Sequence, residues 1–419
     1  MTEHNWAGNV AFTGRIATPT TVDELRALVT DAAPGTLRPL GTRHSFSRIA
    51  DTPGTLLSTA ALAEPAEVRV SADRASVSVP AGIRYGELAR VLEREGLALA
   101  NLASLPHISV AGAVSTGTHG SGVGNGSLAT AVRGLEFVDG TGELVTLRRG
   151  DDGFAGAVVA LGALGVVTRV ELEVEPSFAV AQTVYRELPF EGVLEHVDEV
   201  TSLGYSVSLF TTWADPEVID QLWLKRRVDA DAAAPADVLG ALPSPGPVHP
   251  IAGVDPVHCT AQQDAPGPWF DRLPHFRLEF TPSNGEELQT EYLVPRAAAL
   301  DALRAVRSLA EELRPLVQVT EIRRIAADEL WLSGAYGTDA VAIHFTWVPD
   351  QPAVEAALPR LEQSLLPLGA RPHWGKVFLA GAEALAPLYP RLDDFRALVR
   401  HHDPRGVFLN DFLREKIGL

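Results

Sequence analysis

Glu321 and Arg323 stand two residues apart in the run Val317–Ile325, and His344 and Thr346 stand two apart in Val341–Val348. Alternate residues of a strand share a face, so each pair presents a polar couple on one side. Seen alone, a Glu/Arg couple is more often a surface ion pair than chemical equipment. The neighbours argue otherwise: Ala342, Ile343, Phe345 and Trp347 are too apolar for a solvated edge, and a polar group among them needs local partners. Lys376 is one of only three lysines, the others being Lys225 in a basic run and Lys416 at the chain end. A carboxylate, an imidazole and two cations of this kind can hydrogen-bond a polar ligand and move a proton. Whether His344 or Glu321 is the base stays open; His344 has the suitable ordinary pKa, and Glu321 can serve mainly to anchor hydroxyls.

A second group lies nearer the N-terminus. His44 sits in the turn Gly41-Thr42-Arg43-His44-Ser45, where an imidazole can act as ligand, base or nucleophile. Glycine recurs at 112, 117, 120, 122, 124 and 126, a density that reads as a loop rather than a helix or central strand. Closely approachable backbone N–H groups there suit a diphosphate without cationic side chains. The segment holds no G-x-G-x-x-G, and Gly375-Lys376 lacks the rest of a Walker loop, which removes the nicotinamide and ATPase readings. No His-Glu-x-x-His or Gly-x-Ser-x-Gly occurs, so metalloprotease and serine-hydrolase chemistry fall away too.

Regular elements must position these groups. Thr21-Val-Asp-Glu24 fits a capping box ahead of the helical spacing Leu25, Leu28, Val29, and Pro34-Gly35 ends it. A strand over Thr36–Leu40 then delivers the His44 turn. Glu67–Val70 and Ser76–Val79 alternate around Ala72-Asp73-Arg74 as a hairpin, and Ile83–Glu95 reads as a helix closed by Gly96. Leu135–Val138 and Leu144–Leu147 flank Asp139-Gly-Thr-Gly142 as a second hairpin, and Val166–Val174 ends at Pro176. Beyond Pro176 the strand-like runs lengthen, at Tyr205–Thr212, Phe276–Phe280, Val317–Ile325 and Val341–Val348, which places a second domain there. Ala230–Pro256, rich in alanine and proline without apolar period, is expected to run over the surface.

The 419 residues with 46% apolar content suffice for two domains around a shared cleft. A net charge of -18 repels phosphate backbones, so neither nucleic acid nor an anionic membrane is an expected partner. No stretch approaches the roughly 20 apolar residues of a membrane span. The start MTEHNWAGNV has no basic segment before an apolar one, so a cytoplasmic location is expected, with a monomer favoured. Cys259 is the only cysteine, which rules out an intrachain disulfide and a cysteine-ligated zinc or iron–sulfur site; no metal is expected.

Ser104-Leu-Pro-His-Ile-Ser-Val-Ala-Gly-Ala-Val-Ser-Thr-Gly-Thr-His-Gly-Ser-Gly122, read with Gly-Thr-Arg-His44-Ser, resembles the PCMH-type FAD domain of the vanillyl-alcohol-oxidase superfamily. His373-Trp-Gly-Lys376 and Asp403-Pro-Arg-Gly-Val-Phe-Leu-Asn410 extend the likeness to the sugar-lactone and alditol oxidases. Ser-Leu-Pro-His-Ile-Ser beside Glu-x-Arg-Arg is most similar to the bacterial alditol oxidases. The resemblance implies an α+β fold: a two-subdomain FAD-binding domain over 1–176, a substrate domain over 177–385 with an antiparallel sheet flanked by helices, and a segment over 386–419 returning to the FAD domain. It implies FAD bonded covalently to His44 through the flavin 8α methyl. Arg43, Ser45, Ser104, Ser109, Gly112, Gly117, Thr118, His119, Gly120, Ser121 and Gly122 would hold the cofactor. Ser104, Glu321, Arg323, His344 and Lys376 would bind substrate, the last four also serving the chemistry.

The reaction so implied takes hydride from the terminal carbinol of xylitol or sorbitol to flavin, then reduces O2 to H2O2, leaving the aldose. A sugar-1,4-lactone oxidase or dehydrogenase is the alternative enzyme. A flavin-binding electron carrier is the alternative of another class, and the cost of burying four polar groups argues against it.

Overall fold

The computed structural model describes residues 3–62, 67–279 and 286–419. A parallel sheet comes first, of β1 (Arg15–Ala17), β2 (Leu37–Leu40) and β3 (Thr55–Ser58) in the order β1-β3-β2. Parallel strands need a crossover, which helix α1 (Val22–Thr30) supplies between β1 and β2. The Thr21 hydroxyl caps it, accepting from the Glu24 N–H at 3.2 Å. The Glu24 carboxylate reaches back to the Thr20 N–H, not to Thr21, so half of the expected capping box is shifted by one residue.

Next follow β4 (Arg69–Val70), β5 (Ser76–Pro80), α2 (Tyr85–Arg94), β6 (Leu97–Ala98), α3 (Val110–Ser115), β7 (Val132–Asp139), β8 (Leu144–Arg148), β9 (Gly165–Glu173) and β10 (Glu175–Pro176). An antiparallel five-stranded sheet runs β4-β5-β9-β7-β8, and β6 pairs with β10. Both expected hairpins are present, and Gly96 follows α2 with a φ of 66° that suits its missing Cβ. The glycine-rich segment differs at its start, because Gly112 lies inside α3. Its lack of a side chain serves packing rather than a loop: a Cβ on Gly112, or on Gly41 at the end of β2, would sit 2.8 Å from the Ser109 Oγ.

After β10 the strands lengthen: β11 (Ala179–Pro189), β12 (Ser206–Thr211), β13 (Val218–Arg227), β14 (Gly267–Pro268), β15 (Leu288–Pro295), β16 (Val317–Ile325), β17 (Ala340–Trp347) and β18 (Arg371–Pro372). They form one antiparallel sheet in the order β14-β11-β13-β12-β16-β17-β15-β18, which with the helices makes the fold α+β. Helices Ala299–Ser308 and Gln351–Leu365 cover one face, where Leu303, Val306, Leu358 and Leu361 join a core with Ile343 and Phe345. The other face turns toward the first half of the chain. Every residue of β17 is buried, as expected for a strand covered on both sides, and this is why its sequence is nearly unbroken in apolar character.

Two expectations about this half need correcting. Phe276 makes only a single bridge, to Cys259, and 277–279 turn away instead of continuing a strand; Phe280 lies outside the described residues. The stretch Ala230–Pro256 is not merely a surface excursion. Val238 and Ala241 are buried in the helix-side core, and the Ser244 N–H donates to the Val184 carbonyl at 2.7 Å. Small apolar residues need no regular period to pack against a sheet already formed.

The last motif closes on the first sheet. The Asp403 carboxylate accepts from the N–H groups of Val407 and Phe408, both at 2.8 Å. Asn410 caps helix Asp411–Ile417 by accepting from Leu413 N at 3.0 Å, and its amide donates to the Ile49 and Asp51 carbonyls. Arg38 of β2, buried, donates to the Phe408 carbonyl at 2.8 Å.

Candidate active site

Strand register assembles the polar groups. Glu321 of β16 pairs across to His344 of β17, and His344 pairs across to Glu291 of β15. Gln289 faces Thr346 one step along, and Arg323 lies two residues beyond Glu321. Two-residue alternation puts Gln289, Glu291, Glu321, Arg323, His344 and Thr346 on one sheet face. From the far edge, the His373 and Val377 N–H groups donate to the carbonyls of Glu291 and Gln289, both at 2.9 Å, which seats Lys376 beside the row. The Lys376 ammonium donates to the Gln289 side-chain carbonyl.

Glu291 is the hub. Its carboxylate receives the Arg323 guanidinium at 2.7 Å, with His119 Nε2 at 3.2 Å and His344 Nδ1 at 3.6 Å. Burial pushes the Glu291 carboxyl up, but His119 and Arg323 outweigh it and hold it well below the usual carboxylate range. Glu321 is likewise buried and likewise held low, here by Arg323 at 3.5 Å and His275 at 2.8 Å. His344 is lowered as well, but here burial is the cause and outweighs Glu291, so the neutral ring is favoured. Burial also lowers Lys376, to about 8, against the pull of Glu291. Along this strand row two carboxylates thus face two cations, Arg323 and Lys376, while Glu287, whose carboxyl burial pushes up, lines the cavity near Lys376.

The same cavity, of about 520 Å³, reaches the strand-end turn after β2. His44 stacks on Trp6 with centroids 5.8 Å apart, and its Nδ1 is 3.1 Å from the Thr42 hydroxyl. Burial, then repulsion from His107, lowers His44 to about 4, so its ring is neutral. The turn docks on the distant His373-Trp-Gly-Lys376 motif: Phe46 N–H donates to the Gly375 carbonyl at 2.7 Å, and the Ser47 hydroxyl to that of Trp374 at 2.8 Å. Two motifs more than three hundred residues apart therefore make one wall.

All the residues expected to bind substrate line this cavity: Ser104, Glu321, Arg323, His344 and Lys376. Arg323 Nη1 lies 3.4 Å from the Ser104 hydroxyl, linking the two halves of the chain. Of those expected around the cofactor, Arg43, His44, Ser45, Ser109, Gly112, Thr118 and His119 line it as well. Arg43 does so with its side chain tied outward to Glu3 at 2.7 Å. Gly117, Gly120, Ser121 and Gly122 lie outside the cavity lining. They join the loop to its neighbours: Gly117 N–H bonds Val114, Gly122 N–H bonds the Arg324 carbonyl, and Ser121 bonds the Ser206 hydroxyl. A Cβ on Gly120 would lie 2.4 Å from the Leu102 carbonyl. Asn125, within a glycosylation-like Asn-Gly-Ser, is buried with its amide donating to Ser121 and Tyr205 carbonyls.

Sequence reasoning missed Gln289 and Glu291, although Leu288–Pro295 shows the same alternation that identified Glu321 and Arg323. It also missed His275 and took Lys225 for part of a basic run; Lys225 is buried against His275. No local spacing announces that contact.

Residues 14–148 match the FAD binding domain family, and residues 283–416 match D-arabinono-1,4-lactone oxidase. The neutral His44 ring, lining the cavity together with Gly41 and Gly112, fits that cofactor. The protein is an FAD-dependent oxidoreductase. It is 50% identical over 414 residues to the alditol oxidase of a Streptomyces species, covering 98% of each chain. It is 29% identical to L-gulono-1,4-lactone dehydrogenase of Mycobacterium tuberculosis, over 99% of this chain and 98% of that one. The chain belongs to the alditol oxidase family. Cholesterol oxidase from B. sterolicum shares the fold, with a TM-score of 0.77 at 15% identity over 98% of this chain and 96% of that one. Among the described residues no helix is long and apolar enough to cross a membrane.

Proposed function

We propose that this protein oxidises the terminal primary hydroxyl of a small polyol, such as xylitol or sorbitol, to the aldehyde of the aldose, with O2 reduced to H2O2. The observation that carries this reading is the buried sheet face on which Glu321, Arg323, His344, Thr346 and Lys376 line the cavity that also holds His44. A neutral chain of hydroxyls is donor and acceptor at every carbon, and a wall with both carboxylates and cations meets both needs. The 50% identity to an alditol oxidase supports the same substrate class.

FAD, tethered in this reading to His44 through the flavin 8α carbon, supplies the hydride acceptor and the route to oxygen. The neutral His44 ring has a lone pair to offer for that bond. Arg43, Ser45, Ser104, Ser109, Gly112, Thr118 and His119 would hold the cofactor. His344 takes the hydroxyl proton: it is neutral, and Glu291 behind Nδ1 balances the imidazolium that forms. Arg323 and Lys376 hold the alkoxide as it develops, with Ser104 beside Arg323. Glu321 accepts from neighbouring hydroxyls and fixes which carbon is presented.

Mixing the enzyme anaerobically with xylitol or sorbitol should bleach its flavin absorbance and yield the aldose. A denatured band should keep yellow fluorescence that His44→Ala loses. Bleaching by no polyol would remove the substrate assignment, and complete release of flavin on acid precipitation would remove the tether. A sugar-1,4-lactone substrate is the second reading, favoured by the match of residues 283–416 to D-arabinono-1,4-lactone oxidase.

A further inference from the structure

Behind Glu321 lies a polar chain that meets the cavity wall only through His275. Lys225, in the middle of the sheet on β13, is 1% exposed. Its ammonium donates to the carbonyls of Leu273 at 2.5 Å and Pro274 at 3.0 Å, and its third hydrogen faces His275 Nδ1 at 3.2 Å. The other ring nitrogen, Nε2, is 2.8 Å from Glu321 Oε1. Phe210 and Trp223 meet the His275 ring edge to face, with centroids at 5.5 and 5.2 Å, and fix its plane. An ammonium can only donate, so Nδ1 must accept and the proton of the neutral ring must sit on Nε2. That proton is the one Glu321 receives.

We propose that Lys225 and His275 are positioning residues: Lys225 fixes the Nε2–H tautomer of His275, which grips Glu321 by one oxygen, keeps it ionised and leaves Oε2 for a substrate hydroxyl. This deepens the polyol reading and rests on it for the role of Glu321. Both contacts of the carboxylate with neighbouring side chains use Oε1. Burial lowers His275 to about 4, so the ring stays neutral, and lowers Lys225 to about 7, so its three donors are complete below that pH. The charged and titratable groups facing Lys225 are Glu321 and Arg323 from β16, His275, and Cys259, whose thiol burial pushes up to about 12.

Glu321 is held low against burial, so removing its donor raises its pKa, and the carboxylate is then protonated at a higher pH as acid is added. Lys225→Met and His275→Leu should each raise KM for xylitol roughly tenfold or more at pH 7 with a smaller change in kcat. Carboxyl 13C shifts of labelled glutamate should show Glu321 titrating at a higher pH in both variants than in the wild type. His275→Gln, whose amide can still donate toward Glu321, should recover most of both effects, which a merely structural role would not. Long-range 15N spectra of labelled wild type at pH 6.5, assigned through the wild type's own side-chain-to-backbone correlations, should show His275 protonated on Nε2, whether or not any variant folds. An Nδ1–H tautomer, or a Glu321 titration and KM unchanged in both variants, overturns the proposal. A wild type with the Nε2–H tautomer that turns over no polyol overturns the substrate reading and, with it, the purpose assigned to the pair.

Discussion

Glu291 decides the charge of the cavity, because it is the one carboxylate in reach of Arg323, His119 and His344 together. Glu291→Gln keeps the shape but removes the counter-charge for an imidazolium at His344. Turnover should fall by roughly 10²–10⁴, the worth of a positioned acid–base group, with flavin content unchanged; steady-state kinetics checks it, and near-normal turnover would move the base elsewhere. Lys376 carries the pH dependence. Its lowered pKa means that the ammonium is present below about pH 8 and lost as pH rises through that value, so kcat/KM for xylitol should decline above it. Lys376→Met should lose that alkaline limb and cut turnover by roughly 10²–10³ in a pH–rate profile. The residues legible in the sequence were those with two signals at once. Glu321, Arg323 and His344 stood in apolar alternating runs, and Lys376 was rare and set in a motif. Glu291 had the alternation but no scarcity. Lys225 was as scarce as Lys376 but stood in a basic run, and His275 had neither signal; their contact is made across 50 residues by tertiary packing.

At the scale of elements, the site depends on strands presenting alternate residues in register and on a helix lying close to a strand end. Slipping β16 by one residue against β17 would turn Glu321 and Arg323 to the helix-covered face. Where α3 approaches the end of β2, a Cβ on Gly41 or Gly112 would meet the Ser109 Oγ at 2.8 Å, so that hydroxyl would have to turn aside. Gly112→Ala gains about 0.5–1 kcal/mol of helix propensity, but overpacking costs about 1–3 kcal/mol, so the clash wins. The variant should purify with less flavin per chain, read from the ratio of visible to protein absorbance, and Ser109→Ala in the same chain should restore it. Full loading of the single variant would show that the helix can shift freely. Hairpins, α1, α2 and the strands β16 and β17 were legible because their periods and caps are local. Glycine density misled at α3, where Gly112 lies inside the helix. The alanine- and proline-rich stretch before Pro256 has no period to read, yet His249, Pro250, Ile251 and Val254 at its end line the cavity.

At the scale of the whole molecule, the cavity lies between two sheet systems and neither supplies a site alone. The first half gives His44, Ser104 and His119; the second gives Glu291, Glu321, Arg323 and His344, with Lys376 in the segment docked on the His44 turn. The order of four motifs along the sequence foretold that meeting, but not its geometry, which comes from the eight-stranded order that puts β16, β17 and β15 side by side. A wall of both carboxylates and cations suits an uncharged open-chain polyol, and that is the claim on which the rest depends. Peroxide release measured with a panel of polyols and sugar-1,4-lactones at equal concentrations tests it directly. Xylitol and sorbitol should give one H2O2 per aldose formed, with much higher kcat/KM than any lactone; peroxide from lactones alone, or turnover only with an artificial electron acceptor, would contradict it.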